Sequence, residues 1–281
     1  MTSACIAIVQ LNPGPDKAAN LDRAGALVRA AAAAGAELVA LPEYFSCYGE
    51  VISPDSVRRV YRAAAEPVPG PTCEWLGALA AELDVHLLGG SIFEAAGERI
   101  HNTSLLVGRG GELLASYRKT HLFEAHAPDL EYDEGSAITP GEELVSAGLD
   151  LGGEAVTVGL SVCYDVRFPE VCRTLAAEHG ATVLFTPSAF PTETGRDHWE
   201  LLLRARAVEN QAFVVAPAQW GPQVDGGHLY GRSMIVDPRG VVLATVPDGE
   251  GFAVADLDLT AVATYRRTHP NLANRRPQLY R

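Results

Sequence analysis

The chain has 281 residues, of which 47% are hydrophobic and 20% are charged, as in ordinary globular proteins. A net charge of −13 without a dense Lys/Arg tract argues against nucleic-acid binding and against binding to anionic membranes. No stretch has the roughly 20 consecutive apolar residues of a membrane span, and the first residues lack the pattern of a secretory signal. The five cysteines show no CxxC or Cys/His ligand spacing, which favours a reduced, cytoplasmic setting.

The first half of the chain alternates short apolar runs with helical patterns. "CIAIVQLN" predicts a strand over 5–12, and the Ala-rich segment 17–35 predicts a helix that ends at Gly35. The next apolar run, 36–43, predicts a strand that Pro42 stops. A helix is then predicted at 72–84, and strands at 85–94, 101–111 and 111–118.

The second half repeats this alternation and ends in strands. "AVTVGLSVC" predicts a strand over 155–163, and "PEVCRTLAAEHG" predicts a helix over 169–180. A strand and a helix follow at 181–190 and 195–211, and then strands at 213–220, 230–238, 241–248 and 251–258. Strands that alternate with helices predict a layered α/β fold, with antiparallel parts near 85–118 and 229–257.

The chain lacks a long linker, a low-complexity segment and an internal repeat, so a single domain over 1–281 is expected. Two long loops are predicted near 44–70 and 120–143, and such loops often line functional sites. The C-terminal segment from about 262 to 281 is locally basic, and we interpret it as a tail that is either solvated or packed on a partner subunit.

Three chemically active residues each follow a predicted strand. Glu43, Lys119 and Cys163 lie at the ends of the runs over 36–43, 111–118 and 155–163. In open α/β sheets the pockets form outside the strand ends, so these side chains are expected to meet. A thiol nucleophile, a carboxylate base and an ammonium that stabilises an oxyanion form a complete set for acyl transfer. Position alone leaves the alternatives of solvated charges and a buried structural cysteine.

The sequence motifs around these residues resemble those of the nitrilase, or carbon–nitrogen hydrolase, superfamily. "LPEYF", "YRKTHLF" and "CYDVRFPE" occur in that order, and "YDEGSAITPG" adds a fourth match. The resemblance implies a triad of Glu43, Lys119 and Cys163, with Glu134 positioning the lysine and the substrate. It also implies that Cys163 is the nucleophile at a strand-to-helix elbow, where the Tyr164 backbone N–H assists in binding the oxyanion.

The same resemblance implies a fold, partners and an absence of cofactors. It predicts a four-layer α-β-β-α sandwich, a chemistry that needs neither a cofactor nor a metal, and a homodimer or larger homo-oligomer. In this dimer the helices over 169–180 and 195–211 pair, and the C-terminal tail crosses to the partner.

Further segments narrow the function. "SAFPTETGRDHWELLLRARAVENQ" and "YGRSMIVDPRG" are similar to omega-amidases and deaminated-glutathione amidases, and "RRPQLYR" favours the latter. We therefore expect hydrolysis of deaminated glutathione or a related omega-amide to a carboxylate and ammonia, through a thioester. One alternative is an N-carbamoyl amino acid hydrolase, which also releases carbon dioxide. Another, of a different class, is a catalytically silent scaffold or interaction protein.

A substrate with a carboxylate remote from its amide needs a cationic anchor in this acidic chain. Arg196, just past the strand over 181–190, is the preferred candidate because a cation at a helix start is otherwise mildly unfavourable, and Arg167, four residues after Cys163, is the alternative. A bidentate contact between arginine and carboxylate would give geometric specificity. His121, Glu124 and His126 form an HxxExH pattern, but it lacks the spacing of a helical zinc motif and no metal is expected there.

Overall fold

The computed structural model describes residues 3–48, 54–127, 130–223 and 227–280. Its helices are α1 (Lys17–Ala33), α2 (Pro54–Ala64), α3 (Pro71–Leu83), α4 (Pro169–Ala177), α5 (Thr192–Asn210) and α6 (Leu259–Thr268). Its strands are β1 (Ser3–Gln10), β2 (Leu38–Ala40), β3 (His86–Leu88), β4 (Ile92–Ala96), β5 (Arg99–Val107), β6 (Leu113–Arg118), β7 (Glu124–Ala127), β8 (Leu130–Asp133), β9 (Val145–Leu151), β10 (Glu154–Leu160), β11 (Val183–Phe185), β12 (Phe213–Ala216), β13 (Trp220–Pro222), β14 (His228–Tyr230), β15 (Met234–Val236), β16 (Val242–Thr245) and β17 (Gly251–Asp258). Among the described helices, none has the length and hydropathy needed to cross a lipid bilayer.

Two large sheets share one design. The first has the order β17-β1-β2-β3-β5-β4, with β6 also paired to β5, and the second has the order β16-β15-β12-β11-β10-β9. In each sheet three neighbouring strands run parallel, β1-β2-β3 and β10-β11-β12, and the outer strands pair antiparallel. Helices connect the parallel strands, because a parallel pair requires a crossover.

The two sheets pack face to face and helices cover their outer faces. Ile8 and Leu38 of the first sheet and Val158 and Val183 of the second belong to one buried apolar cluster. A second cluster joins the other face of the first sheet to α1 and α3, whereas α4 and α5 cover the second sheet. The predicted α-β-β-α sandwich is therefore confirmed.

Two of the parallel strands, β2 and β10, are each followed closely by a candidate catalytic residue. Glu43 comes three residues after β2, and Cys163 three residues after β10. Gly90 allows the backbone to pass closely behind Glu43, because its φ is +42° and a Cβ there would overlap the carbonyl oxygen of Pro42.

Several elements differ from those that the sequence predicted. The predicted loop over 44–70 contains α2, and the predicted loop over 120–143 contains the β7–β8 hairpin. The predicted strand over 85–94 is broken at Gly89 and Gly90 into β3 and β4. β9 was not predicted, and α6 occupies the start of the expected tail. These segments are polar or glycine-containing, so hydrophobic periodicity alone did not reveal them.

Candidate active site

The Glu43 carboxylate is buried, with 2% of the residue exposed, and both of its oxygens accept hydrogen bonds. Oε1 accepts from Asn102 Nδ2 at 2.8 Å and from Lys119 Nζ at 3.1 Å, and Oε2 accepts from the Ala189 backbone N–H at 2.8 Å. Gln219 Nε2 donates to the Glu43 carbonyl oxygen at 2.7 Å. The carboxylate is thus held in one orientation by groups from both sheets.

Lys119 directly follows β6 and connects two carboxylates. Its ammonium donates to Glu43 Oε1 at 3.1 Å and to Glu134 Oε2 at 2.8 Å, and the residue is 2% exposed. Its backbone N–H donates to the Asn102 carbonyl oxygen at 2.8 Å, which fixes the chain at this point. An ammonium this deeply buried is stable only because two carboxylates pair with it.

Glu134 begins a 3-10 turn, Glu134–Ser136, after the β7–β8 hairpin. Its Oε1 accepts from Tyr44 Oη at 2.9 Å and from Asn102 Nδ2 at 3.2 Å. Its Oε2 accepts from Lys119 Nζ and, at 2.7 Å, from the Phe123 backbone N–H. With hydrogen bonds to both of its oxygens, the Glu134 carboxyl group is held in one position beside the lysine.

Cys163 opens the 3-10 turn Cys163–Arg167 at the end of β10. Its φ is +47°, a left-handed conformation that is rare for a side chain other than glycine and is frequent at functional sites. The Cys163 N–H donates to the Pro187 carbonyl oxygen at 2.9 Å. This turn places the thiol beside the Glu43 carboxylate.

Burial and charge set the protonation of these groups. Burial and the Glu43 carboxylate raise the pKa of Cys163 well above its usual value, and Lys119 offsets this only in part. Burial also raises the pKa of Glu43, although Lys119 opposes the shift. Burial alone would lower the pKa of Lys119, but the two carboxylates outweigh it and raise the pKa well above the usual value. The resting thiol is therefore protonated.

The elbow depends on Asp165, a residue that the sequence reasoning had not singled out. This carboxylate is fully buried. It accepts hydrogen bonds from residues at the end of β6 and just after it, and from Val162, which precedes the Cys163 turn. The donors are Tyr117 Oη (2.8 Å), Val162 N (2.9 Å), His121 N (3.0 Å), His121 Nδ1 (2.9 Å) and Thr120 Oγ1 (3.2 Å). Asp165 thereby connects the segment that follows β6 to the turn that begins at Cys163. The only feature of the sequence that could have pointed to Asp165 is its position two residues after Cys163.

Asn102 and Arg206 are two further residues that support the site. Asn102, fully buried in β5, donates to both Glu43 and Glu134 through Nδ2. Arg206, in α5, is buried and donates from Nε to the Val166 carbonyl oxygen at 2.8 Å, within the turn that begins at Cys163. Asn102 lies in the polar part of β5, between His101 and Thr103, so the local pattern did not separate it from its neighbours, and the helical pattern gave no signal for Arg206.

The predicted substrate-binding residues lie in different surroundings. Tyr164 is half-buried, and its ring packs edge-on against Phe123 and Phe168. The Arg167 guanidinium lies 4.9 Å from the Phe190 ring centroid and 5.8 Å from that of Tyr164.

Arg196 is exposed near the start of α5. The structure therefore brings Arg167, and not Arg196, against Tyr164, the residue that follows Cys163.

The HxxExH pattern does not form a cluster among the described side chains. His121 is bonded to Asp165 and stacks on Phe168 with ring centroids 3.8 Å apart, and Glu124 is exposed. The His126 side chain lies outside the described part. Within the described residues, no group of three His, Cys, Asp or Glu side chains has a metal-binding arrangement.

Comparison with known proteins identifies the family. Residues 5–267 match the model of the carbon–nitrogen hydrolase family. The chain belongs to this family. It is 38% identical over 274 residues to the deaminated glutathione amidase of Synechocystis sp. (strain PCC 6803 / GT-S), covering 96% of this chain and 97% of the relative. It is 36% identical over 282 residues to the human omega-amidase NIT2, covering 100% and 98% of the two chains.

A solved structure connects this carbon–nitrogen hydrolase to cysteine chemistry. The chain superimposes with a TM-score of 0.80 and 31% identity on a glutamate-to-glutamine mutant of the amidase from Nesterenkonia sp. AN1, covering 99% of this chain and 98% of that one. In that structure acrylamide has added to the active site cysteine. The protein is a cysteine-dependent amidase that acts on non-peptide C–N bonds, as the sequence predicted.

Proposed function

We propose that this amidase hydrolyses a small linear amide whose far end carries a carboxylate, such as deaminated glutathione or a related omega-amide. The observation that carries the proposal is the convergence of Lys119 Nζ and the Cys163 thiol on one buried carboxylate, Glu43. The names of the two relatives, deaminated glutathione amidase and omega-amidase, support the substrate class.

The first half of the reaction forms a thioester. Glu43 removes the thiol proton as Cys163 sulfur attacks the amide carbon, so that a C–S bond forms and the carbonyl oxygen becomes an oxyanion. Lys119 and the Tyr164 backbone N–H stabilise that oxyanion. The intermediate then collapses, the C–N bond breaks, and the proton held by Glu43 leaves with the nitrogen as ammonia.

The second half hydrolyses the thioester. Glu43, again a carboxylate, removes a proton from water as the water oxygen attacks the acyl carbon. The C–S bond breaks, the carboxylate product leaves, and Cys163 recovers its proton. Glu134 holds Lys119 beside the reacting carbon during both steps through the 2.8 Å contact.

Arg167 is the better candidate for the substrate's remote carboxylate. Its guanidinium lies over the rings of Tyr164 and Phe190, on the turn that carries the nucleophile, and within 3.3 Å of His198 Nδ1. Asp165, which could have paired with it, is occupied by donors from the segment that follows β6. The exposed position of Arg196 favours a solvated role, so the sequence-based preference for Arg196 is replaced here by Arg167.

An ammonia-release screen over about twenty amides and carbamoyl compounds tests this function, with Cys163→Ala as the blank. Carboxylate-bearing omega-amides should be the best substrates, and their neutral analogues should be much poorer. Release of carbon dioxide together with ammonia would instead identify an N-carbamoyl amino acid hydrolase. No ammonia from any compound would favour the silent scaffold, which also predicts that Cys163 never acquires an acyl adduct.

The single domain over 1–281 is also proposed to work as a homodimer in the cytoplasm, and all five cysteines are free, as a reduced compartment requires. Leu201 and Val208 are exposed on one side of α5, and Arg204 between them donates to the carbonyl oxygen of Gly240, next to the exposed Val241. This apolar surface supports pairing through α4 and α5, with the tail from about 262 packed on the partner. Sedimentation should give a dimer of the 29.8 kDa chain, and Val208→Asp should give a monomer.

A further inference from the structure

Tyr44, the residue after Glu43, contributes an unusual hydrogen bond to the site. It is 3% exposed, and its φ is +52°, a left-handed conformation that a tyrosine rarely adopts. Its backbone N–H donates to Ser91 Oγ at 3.1 Å, and its ring stacks on Phe93 with centroids 4.3 Å apart. The phenol is thus fixed in place, and its hydroxyl donates to Glu134 Oε1 at 2.9 Å.

This bond distinguishes the two carboxylates that share Lys119. Asn102 Nδ2, the lysine ammonium and one backbone N–H donate to each of them, from Ala189 to Glu43 and from Phe123 to Glu134. Beyond these donors, Glu134 has the Tyr44 hydroxyl, whereas Glu43 has the Cys163 thiol. One carboxylate therefore has a permanent extra donor and the other has the reacting group.

The charge balance makes this difference important. Two carboxylates and one ammonium leave a net negative charge in a buried site, and a buried net charge favours the uptake of a proton. That proton goes to the carboxylate whose negative charge is less stabilised. We propose that the Tyr44 hydroxyl keeps Glu134 ionised, and so reserves Glu43 as the carboxylate that accepts the Cys163 proton. Tyr44 is then a positioning residue, and this inference rests on the proposed roles of Glu43 and Cys163.

The other groups around the pair are consistent with this role. Lys119 faces both carboxylates, Cys163 faces Glu43, and the phenols of Tyr61 and Tyr132 lie nearby. Burial and the charge of Glu134 raise the pKa of Tyr44 well above its usual value. Tyr44 therefore remains a neutral hydrogen-bond donor throughout the range in which a carboxylate titrates.

The test compares Tyr44→Phe with Tyr61→Phe in the full-length enzyme. Tyr61 is a matched control because it is fully buried and stacks on the same Phe93, with centroids 4.2 Å apart. Its hydroxyl, however, bonds to Tyr132 Oη at 3.0 Å rather than to a carboxylate. Each change removes one buried hydroxyl from the same aromatic cluster. The measurement is the pH dependence of kcat/KM on the best amide from the screen.

Removing the donor makes the ionised pair of carboxylates less stable, so a proton binds more tightly. The acidic limb of the profile, which reports the pair as a unit, should move up by about one pH unit in Tyr44→Phe. Activity near the foot of that limb should fall about tenfold, with a smaller change on the plateau. The limb should not move in Tyr61→Phe. Equal limbs in the two variants would overturn the proposal.

A second variant keeps the test decisive if Tyr44→Phe folds poorly. Replacement of Tyr44 by 3-fluorotyrosine preserves the ring and makes the hydroxyl a stronger donor, so the acidic limb should move down. An unchanged limb, or one that moves up, would contradict the role of Tyr44. Failure of the proposed roles of Glu43 and Cys163 is distinguishable, because the wild-type enzyme would then release no ammonia from any amide or carbamoyl compound and would have no profile to shift.

Discussion

The centre of the site and its rim are built differently. In the centre, Glu43, Lys119 and Glu134 are each 2% exposed and are bonded to one another and to backbone from several elements. At the rim, Arg167 is half-buried against aromatic rings. The centre is buried and cross-bonded, whereas the rim is partly exposed to solvent. In the proposed mechanism the bond-breaking steps belong to the centre and the choice of substrate belongs to the rim.

The largest effect is expected from Cys163→Ala. The change removes the proposed nucleophile and little volume, so turnover should vanish while the thermal unfolding temperature stays within about 2 °C of wild type, as for a small change in stability. Ammonia release and a melting curve measure both quantities. The matched control is Cys172→Ala, another buried cysteine, which should retain turnover. Residual turnover in Cys163→Ala would refute covalent catalysis at this residue.

Lys119→Ala should be the next most damaging change. It removes the proposed oxyanion donor and leaves Glu43 and Glu134 without their shared cation, so kcat should fall by about 10²–10³-fold. The control is Arg118→Ala, because the neighbouring Arg118 guanidinium pairs with Glu94 instead. Steady-state kinetics of the two variants should differ widely, and similar losses would mean that Lys119 only stabilises the fold.

Asp165→Asn tests the connection between the segment that follows β6 and the turn that begins at Cys163. An amide nitrogen would face N–H and O–H donors, so the free energy of unfolding should fall by about 3 kcal/mol and kcat by roughly tenfold. Denaturant unfolding and steady-state kinetics check these values. Asp197→Asn, at an exposed position of α5, should change neither. A fully active and stable Asp165→Asn would mean that the elbow does not depend on this carboxylate.

The smallest effect is expected at the rim. Arg167→Ala should raise KM for a carboxylate-bearing amide by roughly tenfold, with little change for its neutral analogue, because it removes one charge-assisted contact. Arg167→Lys should restore only part of the affinity, since lysine lacks the planar fork. Arg196→Ala should leave both KM values close to wild type. The reverse result would return the anchor to Arg196.

The same contrast determines what the sequence could predict. The residues of the centre could be predicted because Glu43, Lys119 and Cys163 each follow an apolar strand run and lie within a short, recognisable sequence motif. The layered fold was predictable from the alternation of strands and helices. Asp165 and Tyr44 were not, since their roles come from partners 44 to 90 residues away in the chain. At the rim, Arg167 meets Phe190 only after two strands are packed, so no local pattern separated Arg167 from Arg196.

The most direct test of the account is to trap the covalent intermediate. The enzyme is mixed with its best amide, quenched in acid within the first turnover, and measured by intact-protein and peptide mass spectrometry. We expect a mass increase equal to the mass of the substrate minus that of ammonia, located on the Cys163 peptide and absent from Cys163→Ala. Rapid ammonia release without any adduct, or an adduct on another residue, would contradict the thioester mechanism.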